Sequence, residues 1–299
     1  MKILTVIVSY NAVSWIERCL QSVLASTVAS DIMVVDNASQ DDTCKIINKH
    51  FPKVILKKNE TNLGFGCANN IGLKYALENA YDYVLLLNQD ARVSSDMLQE
   101  LIDIAENRPD FAVLSPIHLN GKGDKMDARF FNYLVSGCAQ YITDMIVKNA
   151  FFPVYPCGFV NAAVWLMSKR CITKVGGFDP LYFHMGEDVD YCVRVIKKGL
   201  KIGICPETYA YHDRENRKPS QYDNYFTHKQ NNTIVNLKNE PLFSLVKTFF
   251  KLCKDGLHHL LHGRMKQFVS DFKIAFLILL NNRKILRSRY EAINDRPYL

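Results

Sequence analysis

Two polar side chains, Asn88 and Asp90, end an apolar run of the chain. The run covers residues 84–93 and has the sequence VLLLNQDARV. Strands buried on both faces have continuous apolar sequences of this kind, and ligands of open α/β sheets bind beyond the carboxyl ends of the strands. Asp90 would offer the hard oxygen ligand that suits Mg²⁺ or Mn²⁺ on a diphosphate. An isolated N-x-D pattern more often begins a turn, so the interpretation depends on other segments.

Two further apolar segments end in polar side chains. Residues 6–11, VIVSYN, end with Ser9 and Asn11, and residues 34–39, VVDNAS, end their apolar run at Asp36. At the carboxyl edge of a sheet, the Asp36 carboxylate could accept hydrogen bonds from a base or a ribose. A role as a turn cap is an equally good interpretation of Asp36.

A glycine-containing segment lies between residues 34–39 and residues 84–93. Residues 62–70, NLGFGCANN, include Gly64 and Gly66, whose lack of a side chain lets the backbone approach a ligand closely. We expect a helix to begin at about Gly66 and to direct its free N–H groups at phosphate. Ordinary loop glycines are an alternative of similar weight.

Three acids, Glu187, Asp188 and Asp190, stand together at the predicted start of a helix. Acids at such a place commonly complement the helix dipole. Asp190 precedes Arg194 by four residues, the favourable acid-first spacing, and Glu187 lies three residues before Asp190 on the same side. Asp188 is expected to project from a different side of the helix than Glu187 and Asp190. Neighbouring negative charges should raise the pKa of Asp188 toward that of a general base, whereas the helix N-terminus acts in the opposite direction.

Two histidines lie close to these segments in the sequence. His184 precedes the three acids, and His212 stands in residues 208–215, TYAYHDRE, which follow what we expect to be the last strand. Neutral imidazole is a good Mn²⁺ ligand. An isolated histidine is nevertheless more often structural or solvated than a ligand.

The elements that must position these residues follow from the periodicity of the apolar side chains. Short apolar runs predict strands at 3–8, 32–35, 54–56, 84–87 and 112–114, and segments of helical spacing lie between them. This alternation predicts an α/β fold with a mainly parallel sheet.

The second half of this domain is less regular in sequence. Residues from about 116 to 156 lose the alternation and are rich in aromatic and small residues, so a binding loop or subdomain is expected there. Further elements are a strand within 158–167, a short helix ending at 176–177, a helix at about 187–198 closed by Gly199, and a strand at 201–205.

Composition and cysteine usage are those of a cytoplasmic globular protein. The chain has 299 residues, 48% of them hydrophobic and 22% charged. Nine cysteines include no C-x-x-C pair, so neither a zinc cluster nor a disulfide framework is indicated, and a reducing compartment fits best. The N-terminus, MKILTVIVSYN, has the character of a first core strand and not of a secretion signal.

The excess positive charge is confined to the C-terminal tail. From Pro241 onward there are 11 Lys and Arg against 4 Asp and Glu, which leaves 26 residues of each sign among the first 240. A basic tail usually contacts an anionic surface, either a membrane or nucleic acid.

The apolar residues of the tail have helical spacing. They are expected along one side of a helix, at Leu242, Leu245, Val246, Phe249, Phe250, Leu252 and Cys253. The most apolar piece, 272–280, contains Lys273 and is far shorter than the roughly 20 residues that span a bilayer. Such helices often lie in the membrane interface, and packing on the chain's own domain is the alternative.

In this order and spacing, the segments resemble those of the family 2 glycosyltransferases, in particular the rhamnosyltransferase-like branch that builds bacterial surface polysaccharides. The resemblance covers about residues 2–240. It implies a GT-A fold with a donor half at about 1–115 and an acceptor half at about 116–240, followed here by the basic helical tail, 241–299. It also implies a nucleoside-diphosphate-sugar donor, a divalent metal ion (Mn²⁺ or Mg²⁺) and inverting transfer to an acceptor hydroxyl.

The resemblance also implies roles for single residues. Asp36 would contact the nucleoside, Asp90 would bind the metal together with His212, and Asp188 would be the general base of the family's E-D motif. His184 would contact acceptor or phosphate. The residues expected around the donor are Ser9, Asn11, Asp36, Asn62, Gly64, Asn70, Asn88 and Asp90, and those expected to support the base are Glu187, Asp190, Arg194 and His184. The chain departs from the family pattern at Asn88, which replaces the first acid of D-x-D, and at Gln89, where the branch often has proline.

The sequence thus predicts a cytoplasmic, inverting glycosyltransferase that is peripheral at the inner face of the membrane. Its partners would be the donor, a glycan or polyprenyl-linked acceptor and, through the tail, anionic lipid; homo-oligomerisation is left open. A nucleotidyltransferase is less well supported, because its Gly-rich basic loop is absent from SYNAVSWIE after the first strand. A nucleic-acid-binding protein is disfavoured because the tail lacks aromatic residues interleaved with basic ones on strands and the body is neutral.

Overall fold

The computed structural model describes residues 1–148, 151–216, 224–239, 244–293 and 297–299. Within them, nine strands form one sheet: β1 Ile3–Ser9, β2 Asp31–Asp36, β3 Ile55–Lys58, β4 Tyr83–Asn88, β5 Ala91–Val93, β6 Phe111–Asn120, β7 Tyr155–Cys157, β8 Val164–Ser168 and β9 Lys201–His212. The strand order is β3-β2-β1-β4-β8-β6-β9-β5, and β7 pairs with β9.

The N-terminal half of the sheet is parallel, as predicted. β3, β2, β1 and β4 are neighbours, and their register pairs Ser9 with Asp36 and Val8 with Asn88. The carboxyl ends of these strands therefore meet at one edge. The sequence placed Ser9, Asp36 and Asn88 at the ends of separate strands, and the register brings them to that common edge.

The other half of the sheet is mixed. β8 is antiparallel to both β4 and β6, β6 and β9 are parallel, and β5 and β7 are antiparallel to β9. The α/β fold is confirmed, whereas the mainly parallel arrangement is limited to the N-terminal half and to β6 with β9. Alternation of strands and helices in the sequence indicates crossover connections between strands. It does not show at which position in the sheet, or in which direction, a later strand is inserted.

Helices cover both faces of the sheet and form the C-terminal region. They are α1 Ile16–Leu24, α2 Thr43–His50, α3 Phe65–Glu78, α4 Met97–Asn107, α5 Ala128–Gly137, α6 Ala139–Thr143, α7 Lys169–Val175, α8 Glu187–Lys197, α9 Tyr225–Asn239, α10 Ser244–Leu261, α11 Met265–Leu280 and α12 Asn282–Glu291. One apolar core lies under α3, α7 and α8, and a second lies under α1, α2 and α4. The sheet edge that carries the predicted site is thus held from both faces.

The region from 116 to 156 is more regular than predicted. β6 continues to Asn120, and α5, α6 and a π-helical turn, Asp144–Lys148, precede β7; residues 149–150 lie outside the described residues. Asp127 caps α5 by accepting a hydrogen bond from the Phe130 N–H, at 2.9 Å. Phe130 and Leu134, one helical turn apart, are the buried residues of α5, and the exposed apolar residues Phe131 and Val135 beside them obscure this side of the helix in the sequence.

The last strand is longer than predicted. β9 runs to His212, so residues 208–212 belong to the strand and do not follow it. Its pairing with β6 is irregular: Cys205 lies opposite Pro116 and Tyr209 opposite Ile117. This bulge interrupts the alternation and hides the second half of the strand in the sequence. In the segment 158–167, the strand begins only at Val164.

The C-terminal helices have an apolar core of their own. It is formed by Tyr182 of the sheet domain and by Ile234, Val235, Leu237, Leu252, Ile274, Ala275, Ile278 and Ile285. α9, which precedes the predicted tail, thus shares a core with the tail helices; the boundary at 240/241, with Leu242, lies outside the described residues. The predicted single apolar side of α10 is divided, because Leu252 is buried whereas Val246 and Phe250 are exposed. No described helix is long and apolar enough to cross a membrane.

Candidate functional site

Asp36 holds two loops together at the carboxyl edge of the sheet. Its buried carboxylate accepts hydrogen bonds from the Ser9 hydroxyl (2.7 Å), the Ser39 hydroxyl (2.6 Å) and the Ser39 N–H (2.9 Å). Ser9 ends β1, and Ser39 belongs to the turn after β2. These contacts are those of a turn cap, the alternative that the sequence left open. A direct contact between Asp36 and a nucleoside stays a prediction.

The loop after β1 is tied to two neighbouring loops. Asn11 has a φ of 50°, its side-chain oxygen accepts from the Gln40 N–H (2.9 Å), and its N–H donates to Ser39 Oγ (2.8 Å). Gln89 accepts from the Tyr10 N–H (2.7 Å) and donates to the Tyr10 carbonyl (3.2 Å). The glutamine that departs from the family pattern therefore fixes the loop that follows β1.

Gly64 allows a close approach between two parts of the chain. It has a φ of 81°, and a Cβ atom on it would lie 2.1 Å from the Phe183 carbonyl oxygen. Asn62 accepts a hydrogen bond from the Gly64 N–H (2.9 Å), and the Asn37 amide donates to the Gly64 carbonyl (3.1 Å). Glycine is required here because the segment before α8 presses against this loop. The buried Asn37 was not predicted.

Asn70 joins α3 to the segment before α8. Its amide donates to the Phe178 carbonyl (2.8 Å) and accepts from the Phe178 N–H (2.7 Å). A Cβ atom on Gly66 would lie 2.8 Å from Phe178 Cβ, so the start of α3 packs tightly on the same residue. The helix begins at Phe65, one residue before the predicted start. These contacts support a positioning role for Asn70 in place of the predicted donor contact.

Asp90 and His212 face each other across the pairing of β5 and β9. Asp90 Oδ1 lies 3.4 Å from His212 Nε2, and both side chains are about 1% exposed. Among the described residues, His212 Nε2 has no hydrogen-bond partner. Two ligands about 2.1 Å from one metal ion are separated by roughly 3 Å. The type and spacing of these two groups therefore fit a shared divalent cation.

The other nitrogen of His212 has two neighbours that favour opposite tautomers. His212 Nδ1 lies 3.9 Å from Asp127 Oδ2 and 3.2 Å from Arg214 Nε, which is itself 3.0 Å from Asp127 Oδ2. A proton on Nδ1 directed at Asp127 would leave Nε2 free to bind a metal ion. Donation from Arg214 to Nδ1 favours the proton on Nε2. A cation at Nε2 would therefore require the contact with Asp127 to prevail.

Asp188 lies in a cavity of about 320 Å³. The wall includes Asn88 at the end of β4, which connects the cavity to the predicted donor edge. The remaining lining residues are Phe65, Arg129, Tyr133, Phe159, Asn161, Ala162, Ala163, His184, Met185, Gly186, Glu187, Val189, Arg214, His228, Asn231 and Asn232. The predicted residues Asn88, His184, Glu187 and Asp188 are thus brought together.

Burial is the main influence on the two acids of the E-D pair. It raises the pKa of Asp188, although hydrogen bonds from the backbone of Val189 and Ala162 and the charge of Arg214 act in the opposite direction. Burial, with the Asp188 charge, also raises the pKa of Glu187. The sequence left open whether the influences that raise or those that lower the pKa of Asp188 would prevail, and in the structure those that raise it prevail. The principal cause is desolvation, not the neighbouring negative charges on which the prediction relied.

Asp190 is committed to ion pairs. Its carboxylate contacts Arg194 Nε and Lys238 Nζ, both at 2.8 Å, and all three side chains are buried. The predicted pairing of Asp190 with Arg194 is confirmed, and Lys238 of α9 is a further partner that the sequence did not indicate. These pairs support the choice of Asp188 over Asp190 as the base.

The turn before α8 is fixed by α9. Met185 and Gly186 have φ values of 68° and 94°, and the Asn231 amide donates to the carbonyls of His184 (3.0 Å) and Met185 (2.6 Å). Asn231 thus stabilises two successive residues in the left-handed region. Sequence analysis missed Arg129, Tyr133, Phe159, Asn161, Arg214, His228 and Asn231, because polar side chains on α5, α9 and loops give no periodic signal.

Comparisons with known proteins agree with this architecture. The model of Glycosyl transferase family 2 matches residues 5–161. The chain is 26% identical over 230 residues to N-acetylglucosaminyl-diphospho-decaprenol L-rhamnosyltransferase of Mycobacterium tuberculosis, covering 70% of this chain and 75% of that protein. It is 26% identical over 217 residues to rhamnosyltransferase WbbL of Escherichia coli (69% and 81%). It is also 24% identical over 230 residues to O-antigen chain rhamnosyltransferase RfbN of Salmonella typhimurium (76% and 71%).

Solved structures share the fold. S. aureus TarS 1–349 in complex with UDP aligns with a TM-score of 0.55 and 14% identity, over 94% of this chain and 92% of that one. GalNAc-T7 with UDP, GalNAc and Mn²⁺ aligns with a TM-score of 0.59 and 16% identity, over 79% of this chain and 47% of that one. Both have the GT-A architecture predicted here. Since the family model covers just over half of the chain, this protein belongs to the family 2 glycosyltransferases, in their rhamnosyltransferase-like branch.

Proposed function

We propose that this glycosyltransferase transfers a deoxyhexose or hexose, with inversion, from a nucleoside diphosphate sugar to a hydroxyl of a glycan or polyprenyl-linked acceptor. The observation that carries the proposal is the cavity of about 320 Å³ whose lining includes both Asp188, whose pKa is raised, and Asn88 at the end of β4. A base with a raised pKa is closer to the pH of the cytoplasm and therefore better suited to accept a proton.

In this mechanism Asp188 removes the proton of the acceptor hydroxyl. The oxygen attacks the anomeric carbon from the face opposite the nucleoside diphosphate, which leaves with the bonding electron pair, and one displacement inverts the configuration. A double displacement would need a nucleophile on the other face of the sugar. The family's E-D motif supplies one base, and Asp190 is already held between Arg194 and Lys238.

The proposal includes a divalent metal, Mn²⁺ or Mg²⁺, held by Asp90 and His212. Within the described part of the chain no cluster of three or more His, Cys, Asp or Glu side chains could hold a metal ion, so diphosphate oxygens and water would complete the coordination. When bound, the metal would neutralise charge on the departing diphosphate. The separation of 3.4 Å between Asp90 Oδ1 and His212 Nε2 supports this part of the proposal.

The names of the relatives suggest the first donor to test. One relative is dTDP-rhamnosyl transferase RfbF of Shigella flexneri, 23% identical over 188 residues. We expect dTDP-rhamnose to raise the melting temperature of the protein with Mn²⁺ and to lose most of this effect in EDTA. At 100 times Kd, the stabilisation should reach about 2.7 kcal/mol. UDP- and GDP-sugars serve as matched ligands in a thermal-shift panel. Equal stabilisation by every nucleotide sugar, or by none, would contradict the proposal for this donor.

We also propose that the C-terminal helices rest on an anionic membrane, at the inner face of the cell membrane where a polyprenyl-linked acceptor would lie. α10 and α11 expose large apolar side chains beside their basic ones. Those more than half exposed are Val246, Phe250, Leu257, Leu261, Met265, Val269, Phe276 and Leu280. Exposed apolar area of this extent commonly marks an interaction surface, and basic residues near anionic lipid contribute roughly 1 kcal/mol each.

Surface substitutions test membrane binding better than deletion of the tail does, because the tail helices share a buried core with α9. Phe250→Ser, Leu261→Ser and Phe276→Ser together should release the protein from phosphatidylserine-containing vesicles in a sedimentation assay. Transfer to a lipid-linked acceptor should fall more than transfer to a short soluble analogue. Moderate salt should weaken binding of the wild type, because charges are screened over about 8–10 Å.

Leu24→Ser is the matched control for these substitutions, since Leu24 is equally exposed but lies on α1. Wild-type protein that ignores the vesicles at low salt would contradict membrane binding. The same conclusion would follow if the triple variant bound vesicles normally but changed from an oligomer to a monomer, because the apolar face would then be an interface between copies.

A further inference from the structure

A buried cluster of charges connects the helix that carries Asp188 to the C-terminal end of the chain. Asp190 of α8 contacts Arg194 Nε and Lys238 Nζ, each at 2.8 Å. Arg194 also donates to the carbonyls of Val175 (2.6 Å) and Gly177 (2.7 Å), so each of its three guanidinium nitrogens donates a hydrogen bond. Removing one member of such a buried group leaves another charge without its partner.

Two residues of the C-terminal region complete this cluster. Asp179 contacts Lys238 and accepts a hydrogen bond from the hydroxyl of Ser288, on α12. The Tyr298 hydroxyl donates to the Ser288 carbonyl (2.7 Å). Burial opposes ionisation of Asp179, but Lys238 and Ser288 outweigh it, so the pKa of Asp179 lies below its ordinary value. Two carboxylates thus balance two cations in the interior.

The ring of Tyr298 lies over both cations. Its centroid is 5.3 Å from the Arg194 guanidinium carbon and 5.2 Å from Lys238 Nζ. Cations within about 6 Å of an aromatic face are attracted to it, and the attraction is stronger away from water. Tyr298 therefore adds a cation–π contact to each of the two cations.

The backbone of the last three residues is inserted between two elements of the catalytic domain. The Gly177 N–H donates to the Pro297 carbonyl (2.9 Å), and the Asn70 amide donates to the Tyr298 carbonyl (3.3 Å). A Cβ atom on Gly176 would lie 2.2 Å from the Pro297 carbonyl oxygen. The chain end is thus fitted against α3 and the segment that leads to α8.

From these contacts we infer that Ser288 and Tyr298 are positioning residues for Asp188. Asp188 and Asp190 occupy the same first turn of α8, so a movement of Asp190 toward or away from its cations moves Asp188 as well. The C-terminal end therefore completes the acceptor side of the active site, in addition to any contact of the tail with lipid. The inference rests on the proposed role of Asp188 as the base.

Tyr298→Ala tests the inference, with a soluble acceptor analogue so that membrane binding plays no part. We expect kcat to fall on the order of tenfold, since a displacement of about 1 Å at a catalytic group costs up to 10². The donor Kd should stay within about twofold of wild type, because the donor edge is formed by the ends of β1, β2 and β4 and not by α8. Tyr298→Phe keeps the ring over both cations and should recover most of kcat.

The pH profile separates positioning from general stability. Asp188 is faced by Glu187, by Arg214 and by Tyr133 of α5. If α8 shifts and water enters, the acid limb of kcat/KM should move to lower pH in Tyr298→Ala. Tyr290→Ala is the matched control, since Tyr290 is 71% exposed on α12, and it should leave kcat and the pH profile unchanged.

Ser288→Ala provides a second variant if Tyr298→Ala does not fold. It should lower kcat and move the acid limb in the same direction, whereas the same substitution at Ser270, a half-buried serine of α11 whose hydroxyl donates to the Lys266 carbonyl, should do neither. A lower melting temperature with unchanged kcat and pH profile would overturn the inference. Wild-type turnover in Asp188→Asn would instead overturn the proposed function, so the two failures are distinguishable.

Discussion

Asp188→Asn should lower turnover by about 10²–10⁴-fold, the usual contribution of a general base, and should leave donor binding near normal. Asparagine keeps the size of the side chain and can still accept the hydrogen bond from the Val189 N–H, which is 2.8 Å long. It cannot take up the proton of the acceptor hydroxyl. Initial rates with saturating donor, together with a titration of donor binding, separate the two effects.

Asp190→Asn is the control for the same helix turn. It removes one negative charge from the buried cluster with Arg194 and Lys238, so we expect a lower melting temperature and, through displacement of Asp188, a loss of turnover on the order of tenfold, smaller than the loss in Asp188→Asn. The assignment of the base would be wrong if Asp190→Asn, with its fold intact, reduced turnover more than Asp188→Asn does.

The pH dependence of the wild type should reflect the buried acid pair. Because burial raises the pKa of both Glu187 and Asp188, kcat/KM should begin to fall at a pH above that of an ordinary carboxyl group. The apparent values belong to the pair and not to either residue. A raised pKa in the folded state stabilises the protein at low pH, and this contribution is lost as pH rises through the folded pKa. Glu187→Gln should therefore reduce the loss of stability that occurs as pH rises from the range of an ordinary carboxyl group to about 8, the raised pKa of Glu187.

The elements of the donor half could be predicted because their strands are buried on both faces. The runs at 3–8, 32–35 and 84–87 became β1, β2 and β4, since a central parallel strand needs apolar side chains on both faces. β5 and β7 have three residues each and exist through pairing with β9, so local sequence carries little signal for them. The bulge in β9 concealed its second half in the same way.

The site could be predicted where its residues follow strands and could not where distant polar groups meet. Asp90 and His212 lie at strand ends and are close together, as the resemblance implies, and their role as metal ligands stays a prediction. Asn70 was assigned to the donor, but the structure gives its amide to the Phe178 backbone. The contact between Asp190 and Lys238 joins two helices, and no periodicity of apolar residues indicates which polar side chains will meet across such a contact.

Two features of the structure bear on the alternative functions, a nucleotidyltransferase and a nucleic-acid-binding protein. The loop of Ser9 and Asn11 is held by Asp36, Ser39 and Gln40, in place of the Gly-rich basic loop that a nucleotidyltransferase would need. Within the described residues, nine of the basic residues that suggested nucleic acid lie on α10, α11 and α12, which also carry exposed apolar side chains. Basic and exposed apolar side chains on the same helices favour contact with a lipid surface over contact with the phosphates of nucleic acid.

EDTA should abolish transfer by the wild-type protein, and Mn²⁺ or Mg²⁺ should restore it. Asp90→Ala and His212→Ala should each weaken metal-dependent donor binding by about 10–100-fold, since each removes one of two protein ligands. Calorimetric titration of Mn²⁺ into protein with dTDP measures this loss independently of turnover. His50→Ala, an exposed histidine on α2, is the control and should bind metal and donor normally.

Asp127 provides a sharper test of the same site, because Asp127 and Arg214 favour opposite tautomers of His212. Its Nε lies 3.2 Å from His212 Nδ1 and favours the tautomer that cannot ligate through Nε2. Asp127→Asn removes the carboxylate that favours the ligating tautomer, so it should also weaken the affinity for Mn²⁺, although Asp127 itself lies 3.9 Å from Nδ1 on the side away from Asp90. Full activity in EDTA, or affinity for Mn²⁺ unchanged in both His212→Ala and Asp127→Asn, would contradict the metal role. Asp90 and Asn88 would then bind the donor through hydrogen bonds alone.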